Sequence, residues 1–591
     1  MSPTNGEKTP SREAKESRSK AFLSKLRKRR IIETLAAFIA GGWLIMEFVH
    51  FILIGHYHFP DKTLDITFIT LICVLLCTLI WRWFSGREKP RIFNPGLVLI
   101  PLVVLITILL DINFLLHLKG PESETIPASK WKNSIAVLPF VDMSPQKDQE
   151  YFCDGMTEEL INRLSNIREL KVPARTSVFM LTGKAQDIQE VGQKLKVNTV
   201  LEGSVRKAGN ELRITAQLIN IADGYHLWSE VYDRELKDVF AIQDEIALAV
   251  ADKLKLTLLG DEKAKLGKHH EIVPAAYEAY LKGLYYWWQW SEEGATNALR
   301  HFRRAIEIEP NYAPAHAGMA LVIITGSGWL QIWPPREGVP KGKEIAQKAI
   351  ELDPTLADGY IALGQALMNF DWDWAGAEKA LKKALELNPN SPLALDSYTN
   401  FLAMQGRFDE AVVVQKRALE LDPLSAGLWH DLGWIYFESG QFDQAIPHLR
   451  KALELDRDLH VSRHELGLSY LWTGKTAEAL AEHQILAQLA PNLPWVQGAL
   501  GYFFALTGRP AEARKALADL DQLASKRYVP CWARAIVYLG LGQKSLALDW
   551  LEKACEEHDG WMWDLNVCPW YGSLRNEPRF KVLLKRVGFG K

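Results

Sequence analysis

An unvarying 34-residue spacing in the C-terminal half of the chain constrains its fold more than any other feature. Glycines keep this interval at Gly406, Gly440, Gly474, Gly508 and Gly542. Alanines keep the same interval at Ala377, Ala411, Ala445, Ala479, Ala513 and Ala547. Self-similarity at a fixed period of this length indicates one supersecondary unit that stacks on copies of itself to bury a continuous core. The spacing therefore predicts an array of paired helices.

One unit carries a pattern similar to the tetratricopeptide repeat (TPR), a 34-residue helix–turn–helix. The matching residues are Trp429, Leu432, Gly433, Tyr436, Ala445 and Ala452. Weaker copies upstream extend the array, and we expect about eight repeats over residues 274–561, forming an all-α TPR solenoid. The last repeat of a solenoid needs a polar outer cover, so residues 562–591 are predicted to be a C-terminal capping segment.

The N-terminal part of the chain has a different composition. Residues 1–30 are basic and polar, which predicts a disordered cytoplasmic tail. Three apolar stretches follow, at about 31–54, 66–84 and 97–116, each close to the 20 or so residues that a transmembrane helix needs. Residues 118–132, rich in proline and polar residues, are predicted to be a linker.

The distribution of Lys and Arg predicts how these stretches are oriented. Basic residues dominate the tail and the second loop, which places both in the cytoplasm. Three spans then predict a multi-pass membrane protein with the residues after about 119 on the far side of the membrane, which is the periplasm if the membrane is a bacterial inner membrane. Asp111 and Asn113 interrupt the third stretch, and if it does not cross, those residues are cytoplasmic instead. The cluster Lys25–Arg30 is expected to contact membrane lipids.

Residues 133–258 show short strands and amphipathic helices, which predict an α+β domain. A Gly-Asn turn at Gly209 and Asn210 separates two strand patterns and predicts a hairpin. The strings SIAVLPF, YFCDGMTEELINRLSNI and VLEGSVRKAGNELRITAQLI strongly resemble the TolB-like amino-terminal domain found ahead of TPR repeats in bacterial signalling proteins. That resemblance implies an envelope-linked interaction or sensory module and supplies no enzyme. The predicted fold class is thus multi-domain: three transmembrane helices, a TolB-like α+β domain and an all-α TPR solenoid.

The concave groove of the array is the candidate binding site. Positions that usually face inward on the first helix of each pair supply a candidate peptide- or protein-binding groove. They are Asn369, Asp396, Asn400, His430, Trp434, Phe437, His464, Trp472, Trp495 and Tyr502. Aromatic platforms with a few hydrogen-bonding groups suit an extended peptide. Each aromatic side chain could instead pack between helices.

Other chemistry finds no support in the sequence. The phosphate-loop, zinc-protease, nucleophile-elbow and paired C-x-x-C patterns are all missing, so we expect no catalytic residue, no cofactor, no metal site and no small-molecule substrate. A formal net charge of −2 argues against a nucleic-acid partner. Cys153, Cys531, Cys555 and Cys568 either form disulfides or stay free thiols.

These features together predict a membrane-anchored, non-enzymatic scaffold of the bacterial envelope whose TPR solenoid recruits a protein partner. The alternative is a sensory or receptor component that works with a separate cytoplasmic effector: a cyclase, a kinase or a transcription regulator. Co-purification of the partner would separate the two hypotheses.

Overall fold

The computed structural model describes residues 133–181, 187–256, 258, 272–328 and 330–589, together with the isolated positions 75, 77 and 78. The chain divides into two compact units, Met1–Pro127 and Ala128–Lys591. The helices and strands given below belong to the second unit.

The predicted fold class is wrong in its first part. Among the described residues, none of the helices combines the length and the apolar character needed to cross a lipid bilayer. The three predicted spans lie outside the described residues except at positions 75, 77 and 78, and the predicted tail and linker lie wholly outside them. The described chain is mostly helical: one mixed sheet comes first along the chain, and TPR-like repeats follow it. The predicted localisation and lipid contacts of Lys25–Arg30 stay predictions from the sequence.

The first described domain contains a five-stranded sheet and four helices. Its strands are β1 (Ile135–Val137), β2 (Val141–Asp142), β3 (Thr199–Ala208), β4 (Glu211–Asn220) and β5 (His226–Glu235). Its helices are α1 (Glu150–Ser165), α2 (Arg175–Phe179), α3 (Ile188–Leu195) and α4 (Val239–Lys253), with a 3₁₀ turn at Leu236–Asp238. The strand order is β1-β3-β4-β5, and β1 and β2 both pair parallel to β3 while the remaining pairs are antiparallel.

Alternating side chains create the core of this domain. Leu212, Ile214, Ala216 and Leu218 on β4 are all buried, because successive side chains on a strand point to opposite faces. They share one hydrophobic cluster with apolar residues of α1 and α4. The predicted hairpin between β3 and β4 is present, and Gly209 at its turn has a left-handed φ of +63°, which glycine adopts without a steric penalty.

The string KVPAR at residues 171–175 predicts a second strand from the sequence, but no strand forms there. Lys171 makes only an isolated parallel bridge to Ser134, and helix α2 begins at Arg175. Pro173 explains the difference, because proline has no N–H to donate to a strand ladder.

The repeat array consists of eight helix pairs within the described residues. The first four pairs are α5 (Pro274–Trp287) with α6 (Glu292–Ile308), α7 (Ala313–Gly328) with α8 (Pro335–Leu352), α9 (Ala357–Ala366) with α10 (Trp374–Leu387), and α11 (Pro392–Met404) with α12 (Phe408–Leu421). The last four are α13 (Ala426–Glu438) with α14 (Phe442–Leu455), α15 (His460–Trp472) with α16 (Thr476–Leu489), α17 (Pro494–Leu506) with α18 (Pro510–Ala524), and α19 (Cys531–Gly540) with α20 (Lys544–Glu556). A π-helical turn, Leu367–Asp371, follows α9.

Two kinds of small residue maintain the repeat. Gly440 has φ +75° and open space around its Cα, so its role is the left-handed turn that ends a helix and not the close approach of two helices. Gly433 has the packing role, because a Cβ there would lie 2.7 Å from Cγ of Leu449. Ala445 and Ala452 are fully buried on the partner helix.

The α/β domain docks on the loop between α12 and α13. The backbone N–H of Ala174 donates to the carbonyl of Leu421 at 2.9 Å, and the N–H of Ser177 donates to Oδ1 of Asp422 at 2.8 Å. The Ser177 hydroxyl also bonds to Asp422 and accepts from the N–H of Leu424 at 2.8 Å. Burial raises the pKa of Asp422 to about 6.

Beyond α20 the chain forms two 3₁₀ turns, Met562–Asp564 and Pro569–Ser573, and a last helix, α21 (Pro578–Arg586). Phe580 and Leu583 of α21 are buried with residues of α20, and Arg579 pairs with Asp549 and Glu552 of that helix. The end of the chain thus covers the last repeat, as a solenoid requires.

Candidate functional site

Residues 557–575, here named the C-terminal segment, lie along the face of the array that was predicted to be the binding groove. At one end, the ring of His558 stacks on Phe370 and on Trp372, with centroids 4.4 and 4.5 Å away. Farther along, the ring centroid of Trp563 lies 5.7 Å from that of Trp434. The C-terminal segment therefore contacts at least the third and fifth repeats.

The second half of the C-terminal segment contacts other repeats. Asn566 donates its side-chain N–H to the carbonyl of Met404 at 3.4 Å, in the fourth repeat. The indole of Trp570 lies against His464 in the sixth repeat and Tyr502 in the seventh, with ring centroids 5.3 and 5.5 Å apart. The segment thus fills the groove across five consecutive repeats.

The C-terminal segment is anchored as a core element. Met562, Trp563, Leu565, Trp570 and Tyr571 are all buried. Burying one large apolar side chain contributes about 1.5–3 kcal/mol, so these five together contribute about 7–15 kcal/mol. A peptide that binds with micromolar affinity supplies about 8 kcal/mol in total. This burial contribution is about as large as the whole binding free energy of such a partner, so we expect the segment to stay in the groove.

Polar contacts hold the C-terminal segment in its bent path. The indole N–H of Trp532 donates to the hydroxyl of Tyr571 at 2.9 Å, and the backbone N–H of Trp532 donates to Asp559 at 3.0 Å. Arg575 donates to the carbonyls of Asn566 and Val567 at 2.7 and 3.0 Å. These bonds satisfy backbone groups that the absence of regular helix leaves unpaired.

The ten predicted groove residues divide by burial. Seven are buried, namely Asn369, His430, Trp434, Phe437, His464, Trp495 and Tyr502, and the half-buried ones are Asp396, Asn400 and Trp472. Four of the buried side chains contact the C-terminal segment: Trp434, His464, Trp495 and Tyr502.

The remaining members of the set contact other parts of the array. Asn400 donates to Asp396 at 3.4 Å, and Phe437 stacks on Trp472 at 5.4 Å. His430 bonds through Nδ1 to the hydroxyl of Ser462 at 3.1 Å. Whether the ten residues form a single partner-binding surface stays a prediction.

The groove interior is acidic and desolvated. Burial raises the pKa of Asp559 to about 7 and that of Asp431 well above its usual range. Burial lowers the pKa of His430 to about 3 and that of His483 to about 4. Desolvation disfavours the charged form of each group, so the imidazoles are neutral at pH 7 and several carboxyls hold protons at or near that pH.

An open cleft survives beside the filled groove. It has a volume of about 640 Å³ and is lined by Phe442, Trp472, Tyr502, Leu506, Leu539, Gly542, Lys544, Pro569, Trp570 and Ser573. Two of the predicted groove residues, Trp472 and Tyr502, meet there. The C-terminal segment forms one wall through its residues 569–573.

The contribution of the C-terminal segment was not predicted, because its residues were assigned to a polar cap. A signal was present, because Trp561, Trp563, Trp570 and Tyr571 fall within eleven residues. Aromatic side chains at this density carry a large area to bury, which a purely polar cover does not need.

Of the two alternatives given for the four cysteines, the structure shows free thiols. Cys153, Cys531, Cys555 and Cys568 are all buried and unpaired by disulfides. Burial raises the pKa of Cys153 and Cys531 to about 12, which makes both thiols poor nucleophiles.

Comparison with known families corrects the identity proposed for the first domain. Residues 131–248 match the HilA/YgeH-like transcriptional regulator, second domain, and not the TolB-like domain expected from the sequence. Residues 402–464 match the tetratricopeptide repeat, which confirms the predicted repeat family.

A curated relative covers part of the chain. The Rhizobium meliloti (strain 1021) protein named "Putative adenylate cyclase 3" is 38% identical over 247 residues, which is 42% of this chain and 42% of the relative. The chain thus spans about two fifths of the length of that relative.

Solved structures resemble the helical part at low identity. Human IFIT1, solved as a dimer with m7Gppp-AAAA, is 16% identical with a TM-score of 0.38, over 54% of this chain and 77% of that one. A thermophilic TPR protein of Thermus thermophilus is 21% identical with a TM-score of 0.29, over 33% of this chain and 100% of that one. The family match and the helix pairs show that the chain contains tetratricopeptide-type repeats, and its α/β domain is similar to the second domain of HilA/YgeH-like transcriptional regulators.

Proposed function

We propose that this chain is a non-enzymatic protein-interaction module that binds an extended segment of a partner protein in the open cleft beside the C-terminal segment. The observation that carries the proposal is the pairing of a filled groove with an unfilled aromatic cleft. Four of the predicted groove residues contact the C-terminal segment, whereas Trp472 lines the open cleft together with one of those four, Tyr502. The open cleft, and not the groove filled by the C-terminal segment, is therefore the surface that a partner protein can contact.

The lining of the cleft defines the chemistry of the partner. Phe442, Trp472 and Leu506 offer apolar surface, and Leu506 keeps 42% of its area exposed. Lys544 at the rim is paired with Glu577 at 3.1 Å, so its charge is already matched within the chain. An apolar or aromatic anchor on an extended peptide fits such a site, because buried aromatic contacts dominate the energy of peptide recognition.

A matched pair of variants tests this proposal. Leu506 lines the cleft and Leu546 does not, yet each keeps 42% of its area exposed. Peptides are selected against the purified chain from a displayed library, and their affinities are measured by fluorescence anisotropy. Leu506→Glu should weaken binding at least tenfold, since a carboxylate cannot be desolvated cheaply against an apolar anchor.

Leu546→Glu is the control and should leave the affinity unchanged. If both variants bind the selected peptides as the parent does, the partner site is not the cleft. Equal losses of affinity in both variants would show that the substitutions disturb the repeat array as a whole and not the cleft in particular.

A second candidate role is that of a signalling component that works with a separate effector. The supporting observation is the 38% identity, over 42% of its length, to the protein named "Putative adenylate cyclase 3". Under this role, the peptide bound in the cleft belongs to the effector. Selected peptide sequences that occur in a nucleotide cyclase, a kinase or a transcription regulator would favour this role over a general scaffold.

A further inference from the structure

Three side chains of metal-ligating type converge inside the groove from two separate parts of the chain. Glu438 is the last residue of α13, and Asp564 and Cys568 lie on the C-terminal segment. All are buried, and one ligand atom from each lies within 4.8 Å of the other two. The spacing in sequence is 126 and 4 residues, so no linear motif marks the cluster.

The cluster lacks a cation to balance it. None of the salt bridges formed by the described residues brings a basic side chain to Glu438 or Asp564. Oε2 of Glu438 has no hydrogen-bond partner, although the residue is only 6% exposed. A buried carboxylate oxygen without a partner is costly, and native proteins compensate it with a hydrogen bond, a charge or a metal.

A third carboxylate, that of Glu465, belongs to the same region. Oε2 of Glu465 also lacks a hydrogen-bond partner, and its charge acts on both Glu438 and Cys568. Nδ1 of His430 lies 3.5 Å from this oxygen. Glu465 therefore places a second unpartnered carboxyl oxygen within electrostatic range of Glu438 and Cys568.

We propose that Glu438, Asp564 and Cys568 bind one divalent transition-metal ion, for which Zn²⁺ is the best match, and that the ion joins the C-terminal segment to helix α13. One thiolate with two carboxylates is a ligand set that Zn²⁺ accepts, at about 2.3 Å to sulfur and 2.0–2.2 Å to oxygen. Magnesium and calcium prefer oxygen ligands alone. Small side-chain movements bring the three ligand atoms to these distances, and Glu465 or water completes the coordination.

The cluster is next to the open cleft along the chain, and the cleft is the route by which we expect the ion to enter. Pro569 and Trp570, which follow Cys568 directly, line the open cleft. A bound ion would release the thiol proton, because thiolate is the form that binds metal. The proposal does not depend on whether the cleft also binds a peptide, since the ion and the peptide are measured by separate signals.

The test uses the purified full chain, stripped with a chelator under reducing conditions and then titrated with Co²⁺ and Zn²⁺. We expect one Co²⁺ per chain, a near-ultraviolet charge-transfer band from a thiolate–cobalt bond, and loss of that band when Zn²⁺ displaces the cobalt. Cys568→Ser should abolish the band, and Glu438→Gln should weaken Zn²⁺ binding at least tenfold. Cys555→Ser is the matched control, because Cys555 is also a buried free thiol but lies outside the cluster.

Circular dichroism shows whether each variant is folded, and the melting temperature shows whether Zn²⁺ stabilises it. Zn²⁺ should raise the melting temperature of the parent chain and of Cys555→Ser, but not that of Cys568→Ser. If Cys568→Ser fails to fold, Glu438→Gln and Asp564→Asn carry the same test through Zn²⁺ affinity. A parent chain that binds no Co²⁺, or a cobalt band that survives in folded Cys568→Ser, would overturn the proposal; the three groups would then be a protonated hydrogen-bonded cluster.

Discussion

The filled groove and the open cleft use the same kind of side chain in adjacent repeats. Trp434 and Trp472 both lie on first helices of repeat pairs, α13 and α15. The chain covers Trp434 with its own Trp563, whereas Trp472 lies at the wall of a cleft. The position of an aromatic residue in the repeat therefore indicates the face on which it lies, but not whether that face is available to a partner.

The largest effect should come from removing an aromatic side chain of the C-terminal segment. Trp563→Ala empties a site that is 4% exposed and packed on Trp434. Replacing a buried tryptophan by alanine costs about 3–5 kcal/mol, and we expect a decrease of that size in the free energy of unfolding. Urea denaturation monitored by circular dichroism measures it. A decrease below about 1 kcal/mol would mean that the C-terminal segment is not part of the core.

The second-largest effect is expected in the pH dependence of the free energy of unfolding, through a carboxyl group of the same segment. Asp559 has a folded-state pKa of about 7 because of burial, above its usual value of 3.8. The folded state therefore holds the proton more tightly, and this contribution to stability is complete below about pH 4 and is lost as the pH rises through about 7. At about 1.4 kcal/mol per unit, the free energy of unfolding should fall by about 2–3 kcal/mol between pH 5 and pH 7.

The side chain of the Asp559→Asn variant cannot titrate. Between pH 5 and pH 7, the free energy of unfolding of this variant should therefore fall by about 2–3 kcal/mol less than that of the parent chain. Asp443→Asn, at an exposed acid, is the control and should follow the parent profile. Parallel profiles for the parent chain and Asp559→Asn would show that Asp559 does not hold a proton in the folded state.

The smallest effect on stability is expected in the cleft. Trp472→Ala removes a half-buried ring that stacks on Phe437 and packs at a tilt against Phe442, with centroids 5.4 and 4.7 Å away. Aromatic pairs contribute about 0.5–1.5 kcal/mol beyond area burial, so we expect a loss of about 1–2 kcal/mol together with the loss of binding by a cleft-selected peptide. A loss as large as that of Trp563→Ala would remove the distinction between cleft and groove.

The repeat fold was predictable because its constraints are local. A left-handed turn recurs at every 34th residue, and glycine is the residue that adopts it without strain, so Gly406 and its copies marked the helix pairs directly. The hairpin at Gly209 was predictable for the same reason. The strand expected at residues 171–175 could have been excluded from the sequence, because Pro173 has no N–H to donate to a strand ladder.

The candidate site was only half predictable. The repeat period placed Trp434, His464 and Tyr502 on one face, but it carries no information about a segment that lies outside the period. Residues 557–575 reach that face from more than 90 residues away along the chain, counted from Trp434 or His464, and their contacts follow from tertiary packing. The same limit applies to Glu438, Asp564 and Cys568, which only the folded chain brings together.

The central claim is that the C-terminal segment is a permanent occupant of the groove and that partners use the cleft. Hydrogen–deuterium exchange, with and without a cleft-selected peptide, tests it most directly. The backbone N–H groups of Val567 and Cys568 both donate to the carbonyl of Asp564, at 3.1 and 3.0 Å. These amides should exchange as slowly as those of α13 and keep that rate when the peptide binds. Rapid exchange in the free chain, or a large acceleration on binding, would show that the segment leaves the groove and would contradict the account.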